Sequence, residues 1–306
     1  MKRTLTAASL AVMLSATGAL AQNIIVVSHG QANDPFWSVV KNGVDLAAEH
    51  TGATVSYRAP ETFDMVAMAA LIDAAVNQEP DGLVVSIPDA DALRAAISRA
   101  VDAGIPVVSM NSGGDVAAEL GVRLHVGQSE HDAGRIAGER LAELGGTTAI
   151  CVNQEVGNVS LDLRCEGFAE GFGNVTVLPT SNDPTDVRAR VRAALDANPD
   201  IDTVLALGAA TAGEPSVAAV QDSGRADEVN VASFDLSAGF LEAVADGKAA
   251  FAIDQQQFLQ GYLPVTFLAL NAEYGLIPGG DVPSGPNLVE QDAAEKVIDL
   301  SARGIR

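Results

Sequence analysis

The residues best equipped for chemistry sit just after short apolar runs. The run "NIIVVSH" (23–29) is followed by His29, Gln31, Asn33, Asp34, Phe36 and Trp37, and Trp37 is the one tryptophan in 306 residues. "PVVSMN" (106–111) ends on Asn111 and Ser112. "TTAICVN" (147–153) is followed by Gln154, Glu155 and Asn158, then Asp162 and Arg164. "VNVASFD" (229–235) ends on Asp235, and "AAFAIDQ" (249–255) on Asp254 and Gln255. Carboxylates and amides accept and donate hydrogen bonds, a guanidinium donates, and a flat aromatic face covers the C–H side of a ring. Together these groups suit a ligand rich in hydroxyls. Nucleophilic or metal chemistry is not legible. There is no G-x-S-x-G elbow, no H-E-x-x-H, and no pairing of nucleophile and base. The phosphate-cradling G-x-G-x-x-G and G-x-x-x-x-G-K-[ST] patterns are absent too, so no cofactor and no metal is expected. His125 and His131, six apart, do not share a helix face.

The elements that position these groups alternate. Ten β-branched runs, those above with 53–59, 82–88, 123–128, 175–180 and 203–209, are separated mostly by 12 to 18 residues of helical spacing. "PDADALRAAISRAVDAGIPVV" shows the unit clearly, with Asp89 or Asp91 to cap a helix and Gly104 to end it. Continuous apolar strands joined by helices predict parallel sheets covered on both faces. The length suits two sheets of about five strands each, with the break near "HVGQSEHDAGRIAGERL". In such sheets ligands bind outside the carboxyl ends of the strands, where the polar groups gather.

The start "MKRTLTAASLAVMLSATGALAQN" has a basic head, an apolar stretch and a small-residue end, the layout of a signal peptide cleaved after Ala21. Its apolar stretch is shorter than a membrane span, so a soluble, exported mature chain is expected. Loss of Lys2 and Arg3 takes the formal charge from −22 to −24, which argues against nucleic acid and anionic membranes as partners. In an exported protein Cys151 and Cys165 can pair, since a strand and the helix packed on it bring two Cβ atoms within reach. The alternative is two buried thiols.

"NDPFWSVVKNGV", "DGLVVSIPDADAL", "GIPVVSMNS", "VGQSEHDAGRIAGERL", "RCEGF", "VASFD" and "IDQQQFLQGYLPV" occur in this order. With them the chain resembles the ribose-type periplasmic sugar-binding proteins of ABC importers, type I periplasmic binding proteins, over nearly all of residues 22–306. The resemblance implies an α/β fold of two Rossmann-like lobes, each a parallel sheet flanked by helices, joined by three hinge crossings. The expected division is 22–127 plus 256–286 and 128–255 plus 287–306, after a signal peptide 1–21. It implies a monomer in the periplasm, without catalysis, that closes on a small neutral sugar or polyol and delivers it to an ABC permease. A sensory role, presenting a sugar-like signal such as a furanose quorum signal to a chemoreceptor, would use the same clamp.

By position, Asp34 replaces a ligand-binding Asn of the ribose binders, and Phe36 and Trp37 match a stacking pair. Arg164 and Asp235 match ligand-binding residues, and Gln255 a Gln at a crossing. Asn111-Ser112 stands where ribose binders carry Asp-Arg, and Gly208 where they carry Asn. The resemblance therefore implies a ligand other than ribose, with Asn158 or Asp162 meeting the hydroxyls left over.

Overall fold

The computed structural model describes residues 21–30 and 34–306. The expected signal peptide, apart from Ala21, lies outside the described residues, as do Gln31 and Asn33. No helix among the described residues is long and apolar enough to cross a membrane.

The chain first builds β1 (Asn23–Val27), α1 (Pro35–Thr51), β2 (Thr54–Arg58), α2 (Met65–Val76), β3 (Gly82–Val85), α3 (Ala90–Asp102), β4 (Val107–Asn111) and β5 (His125–Gly127). It then crosses to α4 (Glu130–Glu143), β6 (Ala149–Asn153), α5 (Val159–Phe172), β7 (Val175–Pro179), α6 (Pro184–Ala197) and β8 (Thr203–Ala206). The same half continues with α7 (Glu214–Asp222), β9 (Asn230–Phe234), α8 (Ala238–Ala245) and β10 (Phe251–Asp254). A second crossing at Gln255 and Gln256 leads back to α9 (Gln257–Tyr274), which packs on α1, and to β11 (Val282–Pro283). A third crossing through Ser284 leads to β12 (Asn287–Val289) and α10 (Gln291–Ala302), which packs on α8.

Two six-stranded sheets result, in the orders β11-β5-β4-β3-β1-β2 and β12-β10-β9-β8-β6-β7. The order is the same in both halves. Ladders are parallel, as in Ile24↔Val55 and Ile150↔Thr176, except that β12 pairs antiparallel with β10, Ile253 facing Leu288. The central strands β3 and β4 are buried end to end, and β1 is buried beyond Asn23, which their continuous apolar runs require. Each sheet separates two apolar layers. In the first, Ile25, Val27 and Leu83 face α2 and α3, whereas Ile24, Val26 and Val84 face α1 and α9.

The second half is stapled as well as packed. Cys151 on β6 and Cys165 on α5 form a disulfide with Cα atoms 5.8 Å apart, both buried among Ala149, Leu161 and Phe168. Helices α4 and α5 meet backbone to backbone. A Cβ on Gly134 would collide with the Arg164 carbonyl, and one on Gly167 with the His131 carbonyl. That close approach sets the start of α4 beside Arg164.

Candidate functional site

The carboxyl ends of the strands in both halves point into one cleft. On the first side, Asp34 caps α1: its carboxylate accepts from the Phe36 and Trp37 backbone N–H groups at 2.9 and 3.3 Å. Pro35 occupies the first helical position, where its missing N–H costs nothing. Phe36 and Trp37 are thereby fixed in the first turn, and both line the cleft. Trp37 is also a core residue. It is 5 % exposed, packs with Ile24, Val26 and Val40, and meets the His29 ring edge-on at 4.7 Å. Phe36 is only half-buried.

His29 holds Ser86 Oγ at 2.8 Å through Nδ1. Burial, with Arg164 nearby, depresses its pKa to about 3, so the ring is neutral. Its Nε2 lies 3.7 Å from a Glu155 oxygen on the opposite half.

The hinge supplies the floor. Asn111 ends β4 and Asp235 directly follows β9, both in the left-handed region at φ 64° and 69°, and Gln256 adopts the same region in the second crossing at φ 52°. Asn and Asp tolerate this geometry best among side-chain-bearing residues. Asn111 Nδ2 donates to Gln255 and Gln260, both at 3.2 Å, and its oxygen accepts from Ser112 Oγ at 2.9 Å. Gln255 in turn donates to Asp235 at 2.5 Å. A continuous polar chain therefore runs from the first sheet through the crossing to the second sheet. Burial pushes the Asp235 carboxyl up to about 7, against the opposing pull of Arg164 and Gln255.

Arg164 projects from α5 into the cleft and is 3 % exposed. Its guanidinium donates to both oxygens of buried Glu130, at 2.6 and 3.1 Å, and to the Leu207 carbonyl at 3.3 Å. It lies over the Phe234 ring, 4.3 Å from the centroid. Burial alone would lower its pKa; Glu130, Asp235 and Glu155 outweigh that and raise it. Asn158 caps α5, accepting from Ser160 N–H at 3.0 Å, and donates to Glu155 at 2.6 Å. Burial raises the pKa values of Asp34 and Glu155. One backbone bond crosses between the halves here: Val159 N–H donates to the Pro88 carbonyl at 3.0 Å.

The inner cleft leaves a cavity of about 70 Å³, and the adjoining outer part, which shares His29, Asp34, Trp37, Gln154, Glu155 and Asn182, one of about 560 Å³. Of the nine candidate residues, eight line it: Asp34, Phe36, Trp37, Asn111, Asn158, Arg164, Asp235 and Gln255. Asp162 does not. It accepts from Asn153 Nδ2 at 2.9 Å away from the cleft, because two residues along a helix is roughly 200° of rotation from Arg164. Leu161, three before Arg164, faces in instead. Gln154, Glu155, Asn182 and Thr211 also line the cleft. Gln154 and Glu155 were legible at a strand end; Asn182 and Thr211 carry no local signal. Glu130 was not foreseen either, being 34 positions from its partner. Among the described residues no group of three or more His, Cys, Asp or Glu is placed to hold a metal ion.

Two α/β halves of like strand order, joined by three crossings around one polar cleft, define a hinged binding protein. Residues 24–275 match the periplasmic binding protein domain, and the chain belongs to that family, whose members bind solutes and are not enzymes. A carbohydrate transporter from Acidothermus cellulolyticus 11B, solved in complex with myo-inositol, is 35% identical. That comparison covers 94% of this chain and 100% of the other, with a TM-score of 0.89. The xylose/arabinose-binding protein XylF of Sulfolobus acidocaldarius is 25% identical over 266 residues. The alignment takes in 81% of this chain and spans 65% of that relative's length. The ribose import binding protein RbsB of Salmonella typhimurium is 29% identical over 264 residues, 80% of this chain and 84% of RbsB.

Proposed function

We propose that the protein captures one small sugar or cyclic polyol between its two halves and delivers it to an ABC permease from the periplasm. The observation that carries this reading is the cleft itself, where both halves and the second crossing contribute polar groups around an aromatic pair. Phe36 and Trp37 cover the C–H face of the ring. Asp34, Asp235 and Arg164 meet hydroxyls as acceptors and donor. Asn111 has both N–H groups occupied by Gln255 and Gln260, so it serves chiefly to hold the floor.

Closure follows from differential affinity. Only the closed form lets one ligand touch Asp34 and Asp235 together, so the ligand shifts the equilibrium towards it. The halves 22–127 plus 256–286 and 128–255 plus 287–306 move about Gln128-Ser129, Gln255-Gln256 and Ser284–Pro286. The myo-inositol complex of the 35% identical relative makes six-membered polyols the first compounds to try. A thermal-shift and calorimetric panel of sugars, sugar alcohols and inositols tests the reading. One compound should stabilise the chain and bind one to one. If no compound in the panel binds, the reading fails.

A further inference from the structure

The cleft has a charge imbalance that a neutral ligand leaves unresolved. Asp34, Glu155 and Asp235 line it, and the one Lys or Arg among the described lining residues is Arg164. That guanidinium is already held by both oxygens of Glu130. Four carboxylates thus share a single cation. His29, 3.7 Å from Glu155, does not compensate, because burial and Arg164 keep it neutral. Burial pushes all three lining carboxyls up in pKa; Glu155 adds repulsion on Asp34, and Glu130 and Asp34 add it on Asp235, while Arg164 pulls Glu155 and Asp235 the other way. Burial disfavours the charged form of a carboxyl, and a further positive charge nearby would favour it again.

A second observation is independent of charge. Gln154 lines the same cleft, and its side-chain oxygen is buried without a hydrogen-bond partner. A buried acceptor left unpaired is costly. The site is therefore short of donors as well as of positive charge. Asp34, Glu155, Gln154 and Trp37 also line the wider outer part of the cleft. Carboxylates beside an indole are a setting that favours an alkylammonium, which gains ion pairing and cation–π attraction together.

We infer that the ligand is a polyhydroxylated ring bearing a primary amine, an amino sugar or aminocyclitol, whose ammonium group sits between Asp34 and Glu155. The inference rests on the reading of the cleft as a polyol site and narrows its ligand class. It replaces the neutral ligand expected from sequence. The ammonium supplies three donors and one positive charge to a lining whose carboxylates outnumber its one guanidinium.

Calorimetry at neutral pH with matched pairs tests it: myo-inositol beside its 1-amino-1-deoxy analogue, and D-glucose beside D-glucosamine. In at least one pair the amine should bind tenfold or more tighter than the hydroxyl compound. Asp34→Asn removes one charge yet keeps a good helix cap, so the fold is retained. It should weaken the amine at least tenfold more than it weakens the hydroxyl compound, a charge-selective loss that a structural role would not produce. A hydroxyl compound that binds as tightly as its amine, or an Asp34→Asn effect equal on both, overturns the amine and leaves the polyol site standing. Binding of neither member of any pair, by a chain that also ignores the wider panel, overturns the polyol reading and this inference with it.

Discussion

Replacing Val159 by proline removes one hydrogen bond between the halves and little else. Val159 N–H donates to the Pro88 carbonyl at 3.0 Å, and opening the cleft would return both groups to water. Val159 is the first residue of α5, a position that tolerates proline. The preceding Asn158 is already extended, at φ −85° and ψ 108°, as a residue before proline prefers. Its cap on Ser160 N–H does not involve Val159. A net hydrogen bond is worth about 1 kcal/mol, and about 1.4 kcal/mol is tenfold in affinity. Val159→Pro should therefore raise Kd about fivefold, mainly through faster dissociation. Val159→Ala keeps the N–H and should leave Kd unchanged, since the valine side chain is 46 % exposed. Titration calorimetry and stopped-flow release measure both, with thermal melts of the unliganded proteins as control. Equal affinities for the proline and alanine variants would refute the idea that this bond forms on closure.

Three further outcomes follow from the same geometry. Trp37→Ala should cost about 3 kcal/mol of stability without ligand, the scale for a buried aromatic, whereas half-buried Phe36→Ala should cost under about 1 kcal/mol yet still weaken binding; denaturant melts showing Phe36 as the costlier loss would reverse these roles. Replacing Cys151 and Cys165 together by alanine opens a link of sequence separation 14 and should cost about 3 kcal/mol; reductant should bring the native chain down to the variant, and equal stability in urea would contradict this. The third concerns pH. Asp235 keeps its proton to about 7 when folded against 3.8 unfolded, so between those values the folded chain binds the extra proton and this group makes stability fall as pH rises. His29, at about 3 folded against 6.5 unfolded, makes stability rise with pH in its window. The two slopes, each at most about 1.4 kcal/mol per pH unit, cancel between roughly pH 4 and 6.5. Relative to the native chain, Asp235→Asn should tilt stability upward with pH and His29→Gln downward; parallel curves would sink the assignment.

Much of this was legible in the residues. The ten β-branched runs became β1 to β10: the eight inner strands are largely apolar because both their faces are covered, whereas β2 and β7, at the sheet edges, keep exposed positions. The strand-end rule then gathered eight of the nine candidate side chains at one cleft. Asp162 was misplaced for want of helical arithmetic, since it shares no face with Arg164. Trp37 illustrates a different limit. Its place after the first strand and the resemblance put it at the cleft, but that it is also core shows only with Val40 and Val44, three and seven positions on, which mark the core face of α1. Glu130 and Asn182 were invisible because their partners are brought by tertiary packing, the glycine contact of α4 with α5 above all. β11, two residues long, leaves no pattern to read.

The central claim is that the cleft between the halves holds one small hydroxylated molecule. Native mass spectrometry of the gently purified chain tests it most directly, with Asp235→Ala alongside. The account predicts a one-to-one adduct of the mass of a hydroxylated ring, retained by the native chain and lost from the variant. A bare chain that takes up no sugar, polyol or amino polyol on titration, or an adduct that survives Asp235→Ala unchanged, would contradict it.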